Sequence, residues 1–229
     1  MKTYGVILSG GKSSRFHGTI KKQFYLIKDK PVLYYSLKTF NDASRIDEII
    51  LVATKEDFKI SEELVQKYNF RKVTHVVIGG YTRQESVHSG LEAIKDEDGK
   101  VLIHDAARPL VDEDIINKLI DKLDEYDGAA PALKVFDTII KVENEELVSF
   151  ENRDLLYRIQ TPQAFKLDVI KEAHRKFNDL NATDDTQLVK LLSKKVAIIE
   201  GKEKFRKITK LEDTNAIEAY IEKNEYLQS

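Results

Sequence analysis

The stretch that decides the fold is Tyr4-Gly5-Val6-Ile7-Leu8-Ser9-Gly10-Gly11, an apolar run that breaks into paired glycines. An apolar run of this length is typical of a buried first strand. Glycines directly after a strand let bare backbone N–H groups approach a phosphate, because they carry no Cβ. Three cations follow closely, Lys12, Arg15 and Lys22. The sequence therefore predicts an anion-binding loop at the end of the first strand.

Short apolar runs alternate with amphipathic stretches along the first half of the chain. This alternation predicts an α/β fold with a mostly parallel sheet that is covered by helices on both faces. Ligands of such sheets bind beyond the carboxyl ends of the strands, where the glycine loop lies. The predicted strands after the first are Glu48–Ala53, Val73–Ile78, Val101–His104 and Ala129–Leu133. The predicted helices begin with Pro31 as the first helical residue, cover Ser86–Ile94, follow Asp112-Glu113-Asp114 through Leu123, and close the chain near Leu211–Tyr226.

Composition limits the classes of protein that the chain can represent. Its 229 residues suit a single domain over 1–229 with a sizeable core. The absence of cysteine excludes disulfides, thiolate metal sites and cysteine nucleophiles. A net charge of −2 gives no general attraction to nucleic acid or anionic membranes, so neither is expected as a partner. Without an apolar run long enough to cross a bilayer or a recognisable signal peptide, a cytoplasmic protein is expected.

Residues 136–158 interrupt the strand–helix alternation. Val135–Val142 and Leu147–Phe150 flank the polar segment Glu143-Asn144-Glu145-Glu146, which predicts a hairpin. Such an excursion is either an ordinary edge hairpin or an arm that pairs with another subunit. From the residues alone, the ordinary edge hairpin is favoured.

A second chemically informative segment is Ile103-His104-Asp105-Ala106-Ala107-Arg108-Pro109, at the end of a predicted strand. Asp105 is suited to hold a ribose hydroxyl or Mg²⁺, which prefers hard oxygen ligands. Arg108 is suited to fork onto a phosphate or a carboxylate. An internal ion pair between Asp105 and Arg108 explains the pattern equally well. His104 is expected to be a packed residue rather than a catalyst.

A third segment, Gly79-Gly80-Tyr81-Thr82-Arg83-Gln84-Glu85-Ser86-Val87, also follows a predicted strand. Arg83 and Ser86 entering a helix fit recognition of an anion or a polar ring, although Ser86 is also a plausible first-turn cap. Thr183 has the same alternative, as the cap of a helix that runs to Leu192. Further polar sets are weak alone: Asp137-Thr138, Asn152-Arg153, Thr161-Pro162-Gln163, Thr183-Asp184-Asp185 and Lys207-Ile208-Thr209.

The nearest competing motif for the glycine loop is the Walker A sequence, G-x-x-x-x-G-K-[ST]. Gly11-Lys12-Ser13 supplies its end, but the first glycine would fall at Val6, and Gly5 is one residue out of register. Because that glycine shapes the loop, the mismatch argues against a P-loop NTPase. A plain strand-to-helix turn without a ligand is the other alternative.

Taken together, these segments resemble the 2-C-methyl-D-erythritol 4-phosphate cytidylyltransferases of the non-mevalonate isoprenoid pathway. The resemblance runs in order over almost the whole chain. It implies a Rossmann-like nucleotidyltransferase fold and a homodimer locked by an exchanged β-arm, which corresponds to 136–158 and replaces the edge-hairpin interpretation. It also implies a reaction in which CTP and the polyol phosphate 2-C-methyl-D-erythritol 4-phosphate give 4-diphosphocytidyl-2-C-methyl-D-erythritol and pyrophosphate. The implied cofactor is Mg²⁺ or another divalent cation.

The resemblance implies a role for each matching residue. Arg15 and Lys22 correspond to the basic pair that stabilises the pentavalent transition state. Arg153, on the arm, and Lys207 correspond to the pair that positions the methylerythritol phosphate. Metal ligands are not identified. The implied substrate-binding residues are Ser9, Gly10 and Gly11 for the phosphates, Gly80, Arg83 and Ser86 for the cytosine, and Asp105, Ala106, Arg108 and Thr138 for the sugar-like substrate and ribose.

Three positions depart from the family pattern. Ser9-Gly10-Gly11 stands where the family usually has Ala-Ala-Gly, and Lys21 stands where proline usually precedes the catalytic lysine. Spacing favours Lys22 over Lys21 as that lysine. Phe205-Arg206 precedes Lys207 in place of a more typical Asn-apolar pair, so Arg206 is an alternative to Lys207.

Two other functions remain open from the sequence. Ribitol 5-phosphate cytidylyltransferases share the glycine loop, the Thr-Pro-Gln segment and the arm. They usually carry His-Asp-Ser-Val-Arg-Pro, whereas this chain has Ala106-Ala107, and Arg158-Ile159 also favours the isoprenoid enzymes. A non-catalytic nucleotide-binding protein on the same scaffold would be expected to lack Arg15 or Lys22, and both are retained.

Overall fold

The computed structural model describes residues 1–11, Phe16 and 20–228, except for the side chains beyond 223. The strands of this part are β1 (Thr3–Leu8), β2 (Leu26–Ile27), β3 (Lys30–Pro31), β4 (Glu48–Ala53), β5 (Val73–Ile78), β6 (Lys100–Asp105), β7 (Gly128–Lys134), β8 (Ile140–Glu143), β9 (Glu146–Phe150), β10 (Tyr157–Ile159), β11 (Gln163–Lys166) and β12 (Val196–Glu200). The helices are α1 (Val32–Asp42), α2 (Phe58–Lys67), α3 (Arg83–Ala93), α4 (Glu113–Lys122), α5 (Leu167–Lys176), α6 (Asp185–Leu191) and α7 (Asp213–Gln228), with 3₁₀ turns at Lys22–Phe24, Arg153–Leu155 and Glu203–Phe205.

The central sheet has the order β10-β7-β11-β6-β1-β4-β5, and β12 also pairs with β7. Neighbouring strands from β6 through β1 and β4 to β5 run parallel, as do β7 and β12. The strands β10 and β11 run antiparallel to their neighbours. The predicted α/β fold with a mainly parallel sheet flanked by helices is confirmed.

Both faces of the sheet are buried, which explains why its strands read as continuous apolar runs. All six residues of β1 are buried. On one face, Ile7 packs in a cluster with Phe40 of α1 and Leu119 of α4. On the other, Val6 packs in a cluster with residues of α3 and α5 that includes Ile170. A Cβ at Gly5 would lie 2.8 Å from the Phe40 ring, so the absence of a side chain lets α1 lie close against β1.

Three helix starts differ from the predicted ones, and at two of them a polar side chain caps the first turn. Pro31 pairs within the β2–β3 hairpin and caps α1, rather than forming its first turn. Thr82 caps α3 by accepting a hydrogen bond from the Glu85 N–H, so the helix begins before Ser86. Asp184, not Thr183, caps α6. In α3 and α6, a threonine or aspartate oxygen accepts a free N–H of the first turn and sets where the helix begins.

The predicted hairpin is present as β8 and β9, which form a two-stranded antiparallel sheet apart from the central one. The segment carries unusually exposed apolar side chains for its size, including Phe136 at 79%, Phe150 at 70% and Leu155 at 77%. A lone two-stranded hairpin is marginally stable in water, and contiguous exposed apolar surface is typical of an interaction site.

Within the described ranges, each helix is too short or too polar to cross a bilayer.

Candidate active site

A cleft of about 290 Å³ opens at the edge of the sheet where β1, β4, β5 and β6 end. This is the edge at which parallel α/β sheets bind ligands. The structure brings ten of the predicted site residues to its lining: Ser9, Gly10, Gly11, Lys22, Gly80, Arg83, Ser86, Asp105, Ala106 and Lys207.

The glycine loop is anchored to the neighbouring strand. The backbone N–H and the side-chain hydroxyl of Ser9 both donate to the Val52 carbonyl, at 2.8 and 3.0 Å. Gly11 has φ +143°, a conformation that a side chain would strain, and its ideal Cβ position has no neighbouring atom within 4 Å. Glycine is therefore required at position 11 by the backbone conformation rather than by lack of space.

The adjacent lysines at the other side of the loop have different surroundings. The Lys21 ammonium is 2.7 Å from a carboxylate oxygen of Asp57, which also accepts a hydrogen bond from Thr54. Lys22 lines the cleft, and its ammonium donates to the Ile208 carbonyl at 3.1 Å. The 3₁₀ turn that begins at Lys22 thus gives the two lysines different environments. Lys21 is ion-paired with Asp57, the cap residue of α2, and Lys22 lies at the cleft.

Asp105, the last residue of β6, lies between two cations of the cleft. Its carboxylate oxygens are 3.3 Å from Nε of Arg83 and 2.6 Å from Nζ of Lys207. Burial disfavours the charged form, but Arg83 and Lys207 outweigh it and hold the pKa of Asp105 well below its usual range. Asp105 is therefore a carboxylate at neutral pH.

Arg83 contacts a second carboxylate, which sequence reasoning included only in the weak polar set Thr183-Asp184-Asp185. Its Nη1 is 2.7 Å from Asp185 at the start of α6, 102 residues away in the chain. Burial disfavours the guanidinium charge, but Asp185 and Asp105 outweigh it and raise the pKa of Arg83. The pair Asp184-Asp185 at a helix start is a sequence signal for this contact. One acid is enough to cap the helix, so the second is available for another partner.

His104 and Arg108 serve the architecture around Asp105. His104 is fully buried, accepts a hydrogen bond from the Thr161 hydroxyl and donates to the Arg108 carbonyl. Burial lowers the pKa of His104 to about 3, so the ring is neutral, as expected of a packed residue. The Arg108 guanidinium donates to the Phe205 carbonyl at 2.8 Å, and Arg108 is not among the described residues that line the cleft.

A second cavity of about 490 Å³ adjoins the cleft and shares Lys207 and Thr209 with it. Its lining is rich in cations, which include Arg108, Arg158 and Arg206. Arg206, the alternative to Lys207 that the sequence left open, lines the second cavity but not the cleft. Lys207 therefore lines both cavities.

The remaining predicted residues lie elsewhere. Thr138 and Arg153 are exposed on the hairpin segment, where Nη1 of Arg153 donates to the Phe136 carbonyl at 2.7 Å. They do not line the cleft of the same chain in its described part. Arg15 and Lys12 lie outside the described residues.

The donor set also limits how a metal ion could be held. The described residues contain no group of three or more histidine and acidic side chains suited to a metal ion. Among the described lining residues, Asp105 is the only acid. One carboxylate fits Mg²⁺, which commonly binds through one or two carboxylates together with substrate phosphates and water.

The profile of the IspD family, described as 2-C-methyl-D-erythritol 4-phosphate cytidylyltransferase, matches residues 4–223. A protein of that name from Clostridium novyi (strain NT) is 42% identical over 226 residues, covering 96% of this chain and 97% of its own. One from Clostridium botulinum (strain Langeland) is 41% identical over 221 residues, covering 95% and 96%.

Solved structures give the same result. The crystal structure of 4-diphosphocytidyl-2C-methyl-D-erythritol synthase from Anaerococcus prevotii superposes with a TM-score of 0.83 at 30% identity, covering 96% of each chain. The bifunctional IspDF of Campylobacter jejuni superposes with a TM-score of 0.79 at 30% identity, over 93% of this chain and 53% of that one.

A mainly parallel α/β sheet with a glycine loop and clustered cations at its carboxyl edge fits a nucleotidyltransferase, and the family match shows that the chain is an enzyme of this class. It belongs to the IspD family of 2-C-methyl-D-erythritol 4-phosphate cytidylyltransferases. The family inferred from the motifs is confirmed.

Proposed function

We propose that the chain, as a single nucleotidyltransferase domain, joins CTP and 2-C-methyl-D-erythritol 4-phosphate to give 4-diphosphocytidyl-2-C-methyl-D-erythritol and pyrophosphate. The observation that supports this reaction best is the meeting of the glycine loop, Lys22, Asp105 and Lys207 at one cleft, in a chain of the IspD family. We also propose a cytoplasmic location, where the nucleotide substrate is a common metabolite.

The reaction needs positioning and charge more than a protein nucleophile. A phosphate oxygen of the polyol phosphate attacks the α-phosphorus of CTP, and the bond from that phosphorus to the bridging oxygen of pyrophosphate breaks. The attacking phosphate is already ionised, so no side chain must remove a proton from it. Two anions approach each other and charge moves onto the leaving pyrophosphate, so preorganised cations stabilise the transition state.

The residues of the cleft divide between the two substrates in this proposal. Backbone N–H groups of the loop at Gly10 and Gly11, together with Lys22 and the sequence-predicted Arg15, bind the triphosphate and its developing charge. Asp105 accepts from ribose hydroxyls. Lys207, on the wall shared by the two cavities, holds the phosphate of the polyol. The cytosine pocket consists of Gly80, Arg83 and Ser86 at the start of α3.

A divalent cation, most simply Mg²⁺, is proposed as the cofactor. It would be held by triphosphate oxygens with Asp105 as the available protein ligand, because that carboxylate is ionised and lines the cleft. Bound there, the ion supplies neutralisation of phosphate charge.

A homodimer formed through the hairpin segment 136–158 is also proposed. Its support is the exposed apolar surface of an isolated two-stranded sheet, together with the position of Arg153 away from its own cleft. Exchange of the arm would bury that surface and bring Arg153 and Thr138 to the second cavity of the partner subunit.

A subunit-mixing experiment tests the exchanged arm. In a heterodimer of Lys22→Ala and Arg153→Ala subunits, one of the two sites combines an intact Lys22 with an intact Arg153. We expect each homodimeric variant to be nearly inactive and the mixed dimer to recover up to about half of the wild-type activity per dimer, since one of two sites is complete. A mixed dimer that is as inactive as its parents would refute the shared site.

Substrate choice tests the function itself. Purified protein with CTP, Mg²⁺ and 2-C-methyl-D-erythritol 4-phosphate is expected to release pyrophosphate, measured by a coupled phosphate assay. Ribitol 5-phosphate at the same concentration is the matched alternative and is expected to react far more slowly. A preference for ribitol 5-phosphate would overturn the proposed substrate.

A further inference from the structure

A chain of charged and polar groups extends from the exposed Lys207 at the cleft to buried residues behind it. It begins at Lys207, passes through Asp105 and Arg83, and continues to Asp185 and His174. The first three groups line the cleft, whereas Asp185 and His174 are only 1% exposed and belong to α6 and α5. The mechanism above uses neither of these two buried residues.

The contacts at the buried end define the orientation of each group. Asp185 receives Nη1 of Arg83 on one oxygen at 2.7 Å and Nε2 of His174 on the other at 3.0 Å. Burial raises the pKa of Asp185, but Arg83 and His174 outweigh this effect and hold the pKa below its ordinary value. Asp185 is therefore ionised, and Nε2 of His174 carries the hydrogen that Asp185 accepts. The ring of His174 also stacks on that of His88, at 6.3 Å between centroids.

The helix that presents Arg83 is held against the same elements by its neighbour. Oε1 of Gln84 accepts from the Ala182 N–H at 2.6 Å, and its Nε2 donates to the Phe177 carbonyl. Both partners lie in the segment that joins α5 to α6. Consecutive residues at the start of α3 therefore connect the wall of the cleft to that segment.

The division of Arg83 between two carboxylates has a consequence for the cleft. With Asp185 in place, Arg83 meets Asp105 only through Nε at 3.3 Å, and Asp105 retains a closer contact of 2.6 Å with Lys207. Without the charge of Asp185, the guanidinium of Arg83 would be drawn toward Asp105 and away from its present position between the two carboxylates. The cation that lines the nucleotide side of the cleft would then be displaced.

We propose that Asp185 and His174 are positioning residues for nucleotide binding, with Asp185 holding Arg83 in place and His174 orienting Asp185. This inference rests on the proposal that the cleft binds CTP. It concerns residues that act through Arg83 and do not touch the nucleotide.

The test measures the dissociation constant of CTP by titration calorimetry and the KM for each substrate by pyrophosphate release. Asp185→Asn is expected to weaken CTP binding by about tenfold or more, the effect of one misplaced charged contact, with a smaller change in kcat. His174→Leu fills the buried site but removes the donor, so it is expected to weaken CTP binding several-fold. His174→Gln restores a donor at the Nε2 position and is expected to bind CTP almost as tightly as wild type.

A double-variant cycle separates positioning from general damage. In an Arg83→Gln background, Asp185→Asn is expected to cause no further loss of CTP affinity, because the residue through which it acts is gone. Lys171→Met is the matched control on α5, since Lys171 is buried but donates to the carbonyls of Ile94 and Asp96. It is expected to lower the melting temperature without changing CTP affinity.

The outcomes distinguish this inference from the proposed function. Wild-type affinity in folded Asp185→Asn and His174→Leu proteins, or equal losses with and without Arg83, would overturn the positioning role. Failure of the wild-type protein to bind CTP or release pyrophosphate would instead overturn the proposed function. Circular dichroism establishes the folded state of each variant before these measurements.

Discussion

Lys22→Ala is expected to lower kcat by about 10²–10³, which corresponds to roughly 3–4 kcal/mol of transition-state stabilisation from one preorganised donor. The loss follows because the Lys22 ammonium lies at the cleft, next to the carbonyl of Ile208 and on the same side as Lys207. Single-turnover pyrophosphate release at saturating CTP measures the chemical step without product release.

The neighbouring lysine provides the matched control for that experiment. Lys21 is ion-paired with Asp57, which also accepts from Gln23 and Thr54, so Lys21→Ala is expected to reduce thermal stability more than turnover. Equal losses of kcat in the two variants would contradict the assignment of Lys22 as the transition-state cation.

Asp105→Asn is expected to lower both stability and activity strongly. The carboxylate is shared by Arg83 and Lys207, and its removal leaves two cations facing each other at the end of β6. Breaking a buried charged pair typically costs about 3–5 kcal/mol, and the partial exposure of Lys207 puts the expected loss of unfolding free energy near the lower end. Urea unfolding at neutral pH measures this difference, and pyrophosphate release measures the loss of activity.

The difference in unfolding free energy between wild type and Asp105→Asn depends on pH, because the pKa of Asp105 is lowered in the folded state. A carboxyl whose folded-state pKa lies below the unfolded value of about 3.9 contributes its full stabilisation above that value. The contribution is lost as the pH falls through the folded-state pKa, because the proton then binds in both states. The stability gap between wild type and Asp105→Asn is therefore constant from pH 7 to about 5 and narrows below about 4.

A surface carboxylate gives the control for this series. Asp114 pairs with Lys118 and Lys202 on the exposed side of α4, so Asp114→Asn is expected to change the unfolding free energy little at any pH. A gap for Asp105→Asn that widened on acidification would show that its carboxyl is not the group stabilised by Arg83 and Lys207.

Within the described part of the chain, the sequence predicted five of the eight strands of the central sheet and missed β10, β11 and β12. Strands β1, β4, β5, β6 and β7 were predicted within two residues of their ends. Strand β11 has only four residues and was not predicted, because its position depends on antiparallel pairing with β6 and β7 rather than on its own pattern. The half-exposed strand β12, which pairs with β7, was also missed, although Val196-Ala197-Ile198-Ile199 is an apolar run.

For the site, the sequence supplied residue types but not the directions of side chains. The adjacent residues Lys21 and Lys22 have the same chemistry, and only the 3₁₀ turn separates their environments. The sequence places Asp185 only at a helix start. Its contact with Arg83 joins residues 102 positions apart, and no local pattern encodes such a contact. The roles of all the site residues, including Arg15, Arg153 and Thr138, stay predictions.

The close approach of Phe40 to Gly5 links the core to the tolerance of the enzyme for sequence change. An alanine at position 5 would place its methyl group 2.8 Å from the ring, and the strand that would move to relieve the clash ends three residues later, at Leu8, where the glycine loop follows. A shift of about 1 Å at a phosphate site is enough to cost about 10²-fold in rate. A residue larger than glycine at position 5 would therefore require a smaller side chain at position 40, so the sequences open to this enzyme are limited by a pair of residues in the core.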